Sequence, residues 1–296
     1  MINKGLSKVG LYFLYLLSLL PLGILYLLSD FIYLILYRIL SYRKMVVRIN
    51  LQNSFPLKTK EELLQIEKDY FHYLADLMVE TIKMLSASPE YLHARYSFTN
   101  QELIHPFEDK KQSILIAVGH YGNWEWSTIV IPLAIKFKAL IIYKPLKNEV
   151  FDDAFKNARE KGGTKMIKML LTLKEIIRHK HDLTATVFAA DQTPARTEGL
   201  LWIDFLNQST PVFLGLEKIA KSTNYPVVFC DMQRVKRGYY SCDFKLVCAD
   251  PSEANHLDIT KKQFELLENR INIEPRYWLW SHKRWKHKFE EHDERA

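Results

Sequence analysis

A chain of 296 residues and 34.9 kDa, 48% hydrophobic and 25% charged, holds enough material for one large or two ordinary domains with a sizeable core. Intrinsic disorder, collagen-like repetition and a small stapled scaffold are excluded. Lys and Arg number 41 against 34 Asp and Glu, and the formal charge of +7 favours anionic partners: a phospholipid surface, an acidic carrier protein, a phosphorylated substrate or nucleic acid.

The apolar residues gather at the N-terminus. Val9 to Ser29 is a run of 21 residues without a charge, and after Asp30 the apolar character resumes from Phe31 to Tyr37. As a helix rising about 1.5 Å per residue, the uncharged run reaches roughly 30 Å, the thickness of a hydrocarbon core. It is too long for the apolar region of a secretory signal and no small-x-small site follows, so retention is expected rather than cleavage. Pro21 and Gly23 favour a kink, and Tyr12, Tyr15, Tyr26, Tyr33 and Tyr37 suit interfacial depth, so spanning and oblique insertion both fit. Lys4 and Lys8 precede the run while Arg38, Arg43, Lys44 and Arg48 follow it, which puts the rest of the chain on the cytoplasmic side. Cys230, Cys242 and Cys248, odd in number and without a CxxC pair, read as reduced thiols in the core.

Asn53, Ser54 and Pro56 make a turn, after which Leu63, Ile66, Tyr70, Leu74, Leu77 and Ile82 recur at helical spacing in one long amphipathic helix over 60–85, closed by Ser86, Ser88 and Pro89. Short apolar runs at 113–118, 139–143, 184–190 and 226–230 read as buried strands, with a fifth, antiparallel strand at 239–247. Helices are expected at 124–135, 150–161, 165–179, 212–222 and 260–272. Alternating strands and helices mean an α/β fold, a mixed sheet flanked by helices, with sites at the carboxyl ends of strands. Residues 1–44 are read as a membrane anchor and 45–296 as the α/β domain.

The first strand leads into Val118-Gly-His-Tyr-Gly-Asn-Trp-Glu-Trp126. His120 and Glu125, five apart, would lie on different faces of a helix, so they cooperate only if His120 sits in the loop before the helix. Gly122 permits that loop, and Asn123 as N-cap puts Glu125 in the first turn, where the helix dipole favours a carboxylate. An ionised Glu beside an imidazole fixes its tautomer and leaves the other ring nitrogen to accept a substrate proton, a general base with its partner. The plainer reading is a loop histidine beside a glutamate that caps the helix.

His-Tyr-Gly-Asn-Trp-Glu after a buried strand, behind an N-terminal hydrophobic helix, resembles the bacterial lipid A biosynthesis acyltransferases, within the lysophospholipid acyltransferase superfamily. Arg48-Ile-Asn-Leu51 with Phe55-Pro56, Tyr143-Lys-Pro-Leu-Lys-Asn148, Asp191-Gln192 and Tyr277-Trp-Leu-Trp-Ser-His-Lys-Arg-Trp-Lys286 resemble further blocks of that family in the same order, so the likeness covers nearly the whole chain. One departure is Lys144, where the family commonly has Arg; lysine keeps the charge and loses the bidentate fork.

The resemblance implies a glycerolipid acyltransferase-like fold at the bacterial inner membrane, its catalytic domain cytoplasmic. It implies acyl transfer from acyl carrier protein or acyl-CoA to a hydroxyl of a lipid A precursor, with His120 as base, Glu125 as its partner and no nucleophilic residue, metal or organic cofactor. Asn123, Lys144, Arg159, Asp191, Gln192 and Arg284 become candidate substrate-binding residues. Arg159 is the candidate donor to an oxyanion, or else a solvated helix-end charge. Asp191 and Gln192, at a strand end, either position a substrate or hold a loop. Arg284, among Trp278, Trp280 and Trp285, either meets lipid phosphates at the interface or pairs with a carboxylate in a packed terminus. The rival readings are acylation of a lysophospholipid, an aminolipid or another glycolipid, and an inactive membrane-anchored lipid-binding protein. Nucleic-acid binding lacks a motif, and no P-loop, GxGxxG or HExxH is present.

Overall fold

The computed structural model describes residues 4–195 and 201–289 and the backbone of 294–295. The uncharged N-terminal run forms two helices, α1 (Lys4–Leu19) and α2 (Leu22–Leu34). Pro21 lies between them as the N-cap of α2; it has no N–H with which to continue the first helix, so the single segment expected from 9 to 29 is interrupted there. α2 runs on into a π-helical turn, Ile35–Ile39, and 22–39 is the one stretch among the described residues long and apolar enough to cross a membrane.

α3 (Lys44–Ser54), α4 (Lys60–Lys83) and α5 (Pro89–His93) follow. α4 is the expected amphipathic helix. It starts with a capping box in which Thr59 Oγ1 accepts from the Glu62 amide and Glu62 accepts from the Thr59 amide. Both N-terminal helices pack on α4, and three of its acids fasten α2 and the turn after it: the hydroxyls of Tyr37, Ser29 and Tyr26 donate to Glu67, Asp76 and Glu80 at 3.1, 2.6 and 2.7 Å. Leu22, Leu25, Tyr33 and Tyr37 belong to the same buried apolar cluster as the sheet, across the boundary placed at residue 44.

Then come β1 (Tyr96–Thr99), α6 (His105–Asp109), β2 (Ile114–Val118), α7 (Trp124–Ala134), β3 (Lys138–Tyr143), α8 (Glu149–Glu160), β4 (Lys165–Lys168), α9 (Thr172–Arg178) and β5 (Thr184–Ala189). A hairpin, β6 (Leu201–Phe205) and β7 (Gln208–Val212), leads to α10 (Gly215–Thr223), β8 (Val227–Lys236), β9 (Tyr239–Cys248), α11 (Asp258–Ile273) and β10 (Glu294–Arg295). The main sheet has seven strands in the order β1-β9-β8-β2-β5-β3-β4; β8 and β9 are antiparallel and the other pairs parallel. This is the mixed α/β sheet flanked by helices that the alternation of elements implies. All five residues of β2 are buried, as a central parallel strand covered on both faces requires.

Two expectations are corrected and one element is new. The helix expected over 165–179 is a strand, a 3₁₀ turn and a short helix: Gly163, at φ +97°, turns the chain back so that Lys165–Lys168 pair with Leu140–Tyr143. The apolar residues that looked helical divide there, Met166 and Ile167 facing in and Leu170 and Leu171 facing out. The β6–β7 hairpin had no sequence signature because Leu206 and Asn207, both at positive φ, make its two-residue turn without a glycine. The cysteines are not all reduced: Cys230 and Cys242 form a disulfide, with Cα atoms 5.8 Å apart, and Cys248 is free. Register brings them together, since Met232 is opposite Cys242 and Cys230 sits diagonally from it. The cysteine argument for a reducing compartment falls away with that bond.

Asp76 is the most heavily used fastening. Besides Ser29 it accepts from Arg234 Nη2 at 2.6 Å and from Arg237 Nε and Nη2, and Arg237 continues to Asp30 of α2 at 2.6 Å. Both Asp76 and Arg234 are buried, so removing the acid strands a buried guanidinium. Asp76→Ala is expected to cost about 3–5 kcal/mol of stability, read as a lowered unfolding midpoint of the detergent-solubilised chain; an unchanged midpoint would show that the N-terminal helices hold without it.

Candidate active site

β2 ends at Val118, and the next five residues form a tightly held loop. Gly119 lies close against α11, so that a Cβ there would lie 2.5 Å from a terminal methyl of Leu267, which would have to shift. Gly122 adopts φ +61°, its N–H donates to Tyr277 O at 3.1 Å, and its carbonyl accepts from the Tyr73 hydroxyl. Tyr121 donates through its hydroxyl to Glu274 O at 2.7 Å. Asn123 caps α7 as expected, its Oδ1 accepting from the Trp126 amide at 2.8 Å, while its Nδ2 donates to Glu80 at 2.6 Å. Both ends of that fully buried amide are occupied, so Asn123 positions the loop and is not presented to a substrate.

His120 therefore sits in the loop, and the carboxylate beside its ring is Asp191. The ring Nδ1 lies 2.6 Å from Asp191 Oδ1, and the His120 backbone N–H donates to Asp191 Oδ2 at 2.8 Å. Trp278 Nε1 also donates to Oδ2, at 2.8 Å. An ionised carboxylate only accepts, so Nδ1 carries the proton and Nε2 keeps the lone pair of the neutral ring. Gln192 Nε2 is 3.1 Å from that atom. The Trp124 ring stands edge-on to the imidazole, 5.2 Å between centroids.

Glu125 does lie in the first turn of α7, but its side chain turns to Arg159 of α8. Arg159 Nε and Nη2 grip the two carboxylate oxygens at 2.8 and 3.0 Å. The sequence pairing of His120 with Glu125 is thus corrected in its geometry. The five-residue spacing carries the glutamate onto the helix, while parallel pairing of β2 with β5 brings Asp191 to the histidine. Glu125 still acts on the ring through its charge, which helps to raise the imidazole's proton affinity.

Burial works against charge on both members of the central pair, and their mutual attraction wins. Desolvation pushes the His120 pKa down, yet Asp191 and then Glu125 lift it above its ordinary 6.5. Desolvation pushes Asp191 up, yet His120 and the Trp278 N–H bring it from 3.8 to about 2. The imidazole's share of stability is present below pH 6.5 and is lost as pH rises through the raised value. The carboxylate's share is present above 3.8 and is lost as pH falls through about 2.

The other expected residues scatter. Lys144 is exposed just past the carboxyl end of β3, two strand spacings or roughly 10 Å across the sheet from the end of β2. It makes no ion pair or hydrogen bond among the described residues. Arg284 is wholly buried: Nη2 donates to Pro211 O at 2.6 Å, and Nε and Nη1 have no partner among the described residues. Burial lowers its pKa to about 9 and keeps it away from any interface, and among the described residues no carboxylate pairs with it. His282, held near 4 by burial, accepts from the Thr193 amide at 3.1 Å and so joins the C-terminal segment to the residues after Asp191. Sequence reasoning missed Trp278 as the third donor to Asp191; its signal was the aromatic segment 277–285, legible as a motif but not as a contact. Among the described residues no three His, Cys, Asp or Glu side chains converge as a metal would need.

The sequence model of a family described as bacterial lipid A biosynthesis acyltransferase matches residues 2–287. No curated protein matches the chain.

Asp191→Asn removes the charge that outweighs desolvation, so the His120 pKa is expected to drop from above 6.5 to below it. Titration of the His120 ring resonances by NMR in micelles checks this; an unmoved titration would assign the raised affinity to Glu125.

Proposed function

The chain belongs to the bacterial lipid A biosynthesis acyltransferase family and is an acyltransferase, and on that premise we propose that it acylates a hydroxyl of a lipid A precursor at the cytoplasmic face of the inner membrane, with His120 as general base. The observation that carries the mechanism is the His120–Asp191 pair, which puts the proton on Nδ1 and leaves Nε2 as the basic atom, facing the Gln192 amide that an acceptor hydroxyl would displace. In the proposed step Nε2 takes the proton of the acceptor hydroxyl as its oxygen attacks the carbonyl carbon of an acyl thioester. The negative charge moves to the carbonyl oxygen. When the tetrahedral intermediate collapses the C–S bond breaks, and the sulfur leaves with the proton held by the imidazolium.

Asp191 orients the ring and stabilises the imidazolium, and Glu125 adds a second, more distant negative charge held in place by Arg159. The Gln192 amide, at the edge of Nε2, is placed to donate to the acceptor oxygen or to the oxyanion. The donor is proposed to be acyl carrier protein, with acyl-CoA as its chemical equivalent; the net positive charge suits the acidic surface of the first and the phosphates of the second. The cytoplasmic orientation rests on the basic residues Arg38, Arg43, Lys44 and Arg48 after the apolar segment.

Purified chain supplied with labelled acyl carrier protein and a deacylated lipid A precursor is expected to transfer the acyl group, and His120→Ala to lose about 10²–10⁴-fold. Full activity of a folded His120→Ala variant would end the base mechanism. Acylation of a different lipid by the parent would keep the mechanism and replace the acceptor.

A further inference from the structure

The carboxyl edge of the sheet carries apolar residues that are left exposed among the described residues. β3 and β4 are parallel and in register, Tyr143 opposite Lys168, so the two loops that follow them emerge side by side. The first presents Leu146, and the second presents Met169, Leu170, Leu171 and Leu173, all exposed, Leu170 at 94%. This is the stretch where a helix was expected and where the apolar pattern splits, with half of it left outside. His120 and Asp191 leave β2 and β5 at the same edge.

Charge and continuity identify what would cover it. Lys144, Lys147, Lys168 and Lys174 surround the apolar residues, are exposed, and form no ion pair among the described residues. Most neighbouring acids are engaged: Glu149 with Lys4 at 2.9 Å, Glu175 with Lys165 and Arg178, and Asp152 with the Leu146 amide at 2.7 Å, while the exposed Asp153 lies near Lys4. The patch also runs into α1, because Asn148 donates to Ser7 at 2.9 Å just beyond Leu146. There Leu6, Val9, Tyr12 and Phe13 are exposed in turn. An apolar strip rimmed by free lysines and continuous with a hydrophobic N-terminal helix has the composition of a surface that lies in a bilayer interface.

We propose that the carboxyl edge of the sheet is a membrane-contact surface, separate from the apolar segment at 22–39, in which Leu146 and the 169–173 turn enter an anionic leaflet while Lys144, Lys147, Lys168 and Lys174 meet lipid phosphates. The active-site loops then open at the membrane surface, where a lipid acceptor resides, and the acceptor need not leave the bilayer to reach His120. This deepens the proposed function, yet its test does not depend on which lipid is acylated.

The full chain carrying Cys248→Ser and Leu170→Cys, labelled with an environment-sensitive fluorophore, is reconstituted into phosphatidylcholine vesicles with and without phosphatidylglycerol, anchoring being checked by co-flotation. With phosphatidylglycerol the label is expected to shift to the blue and to be quenched by doxyl-labelled lipid. A label at Lys110→Cys, an exposed residue before β2 at the opposite edge of the sheet, is expected to stay unquenched. Lys147→Glu with Lys168→Glu is expected to abolish the response at 170 while flotation persists. A label at 170 that remains in water on an anchored chain overturns the proposal. So does an equal response in vesicles of phosphatidylcholine alone, which removes the role of the lysines, and so does a blue shift without lipid quenching, which reports a protein partner. Because no acyl transfer is measured, a wrong acceptor assignment leaves this result untouched.

Discussion

The carboxylate of Asp191 is the point on which three separate parts of the chain converge. It accepts from the His120 backbone N–H, from the His120 ring and from the Trp278 indole, so the loop after β2, the loop after β5 and the C-terminal segment meet at one buried anion. A carboxylate that is 3% exposed is tolerable only with such donors around it, which makes the arrangement all-or-none: each donor lowers the cost of burying the charge, and the charge fixes each donor. The C-terminal segment is held elsewhere as well. Asn50 of α3 donates to Trp280 O and His282 O, Arg43 donates to Ser281 O, and the Tyr70 hydroxyl of α4 accepts from the Ser281 amide. The residues after α11 thus act as a clasp, closing the site against helices from the N-terminal third of the chain.

The same helices join the site to the hydrophobic N-terminus. Glu80 of α4 accepts from Tyr26 of α2, from Asn123 of the active-site loop and from Tyr240 of β9, and its burial raises its pKa. One buried acid therefore lies between the apolar segment and the cap that sets the direction of α7. Asp76, one helical turn earlier, ties α2 to β8 and the loop after it through Arg234 and Arg237. The apolar segment is bolted to the α/β body and does not trail from a flexible linker. The direction of the apolar segment relative to the active-site edge is consequently fixed by the fold.

How far the sequence could be read follows from what kind of interaction made each feature. The long helix α4, the buried strands β2, β3 and β5 and the N-cap at Asn123 were legible because each rests on local periodicity or on one residue's bonding to its own neighbours. His120 was legible as a loop histidine at a strand end for the same reason. Its partner was not. Asp191 stands 71 positions away, and only the pairing of Ile114–Val118 with Ala185–Ala189 brings them together, so local spacing points to the nearest carboxylate in sequence, Glu125, instead. Cys230 and Cys242 were misread in the same way, since the register of β8 and β9 decides their proximity. Arg284 failed differently. Sitting among tryptophans, it suggested an interface, but those tryptophans pack inward, Trp278 against Trp280 at 4.7 Å and Trp285 at 6.0 Å, and take the arginine with them.

The displacement of Glu125 from the histidine has an electrostatic logic. A second bare carboxylate against a buried imidazole that already holds Asp191 would favour the imidazolium so strongly that the ring would rarely be free to accept a proton, and a base works best when its pKa lies near the operating pH. Arg159 prevents this by gripping both oxygens of Glu125, at 2.8 and 3.0 Å, which neutralises most of its field at short range. What reaches His120 is the remainder, the smallest of the influences acting on the ring. A strong direct partner and a weakened distant one thus give an imidazole whose proton affinity is raised but moderated, as the proposed transfer of a proton from a hydroxyl to a thiolate requires.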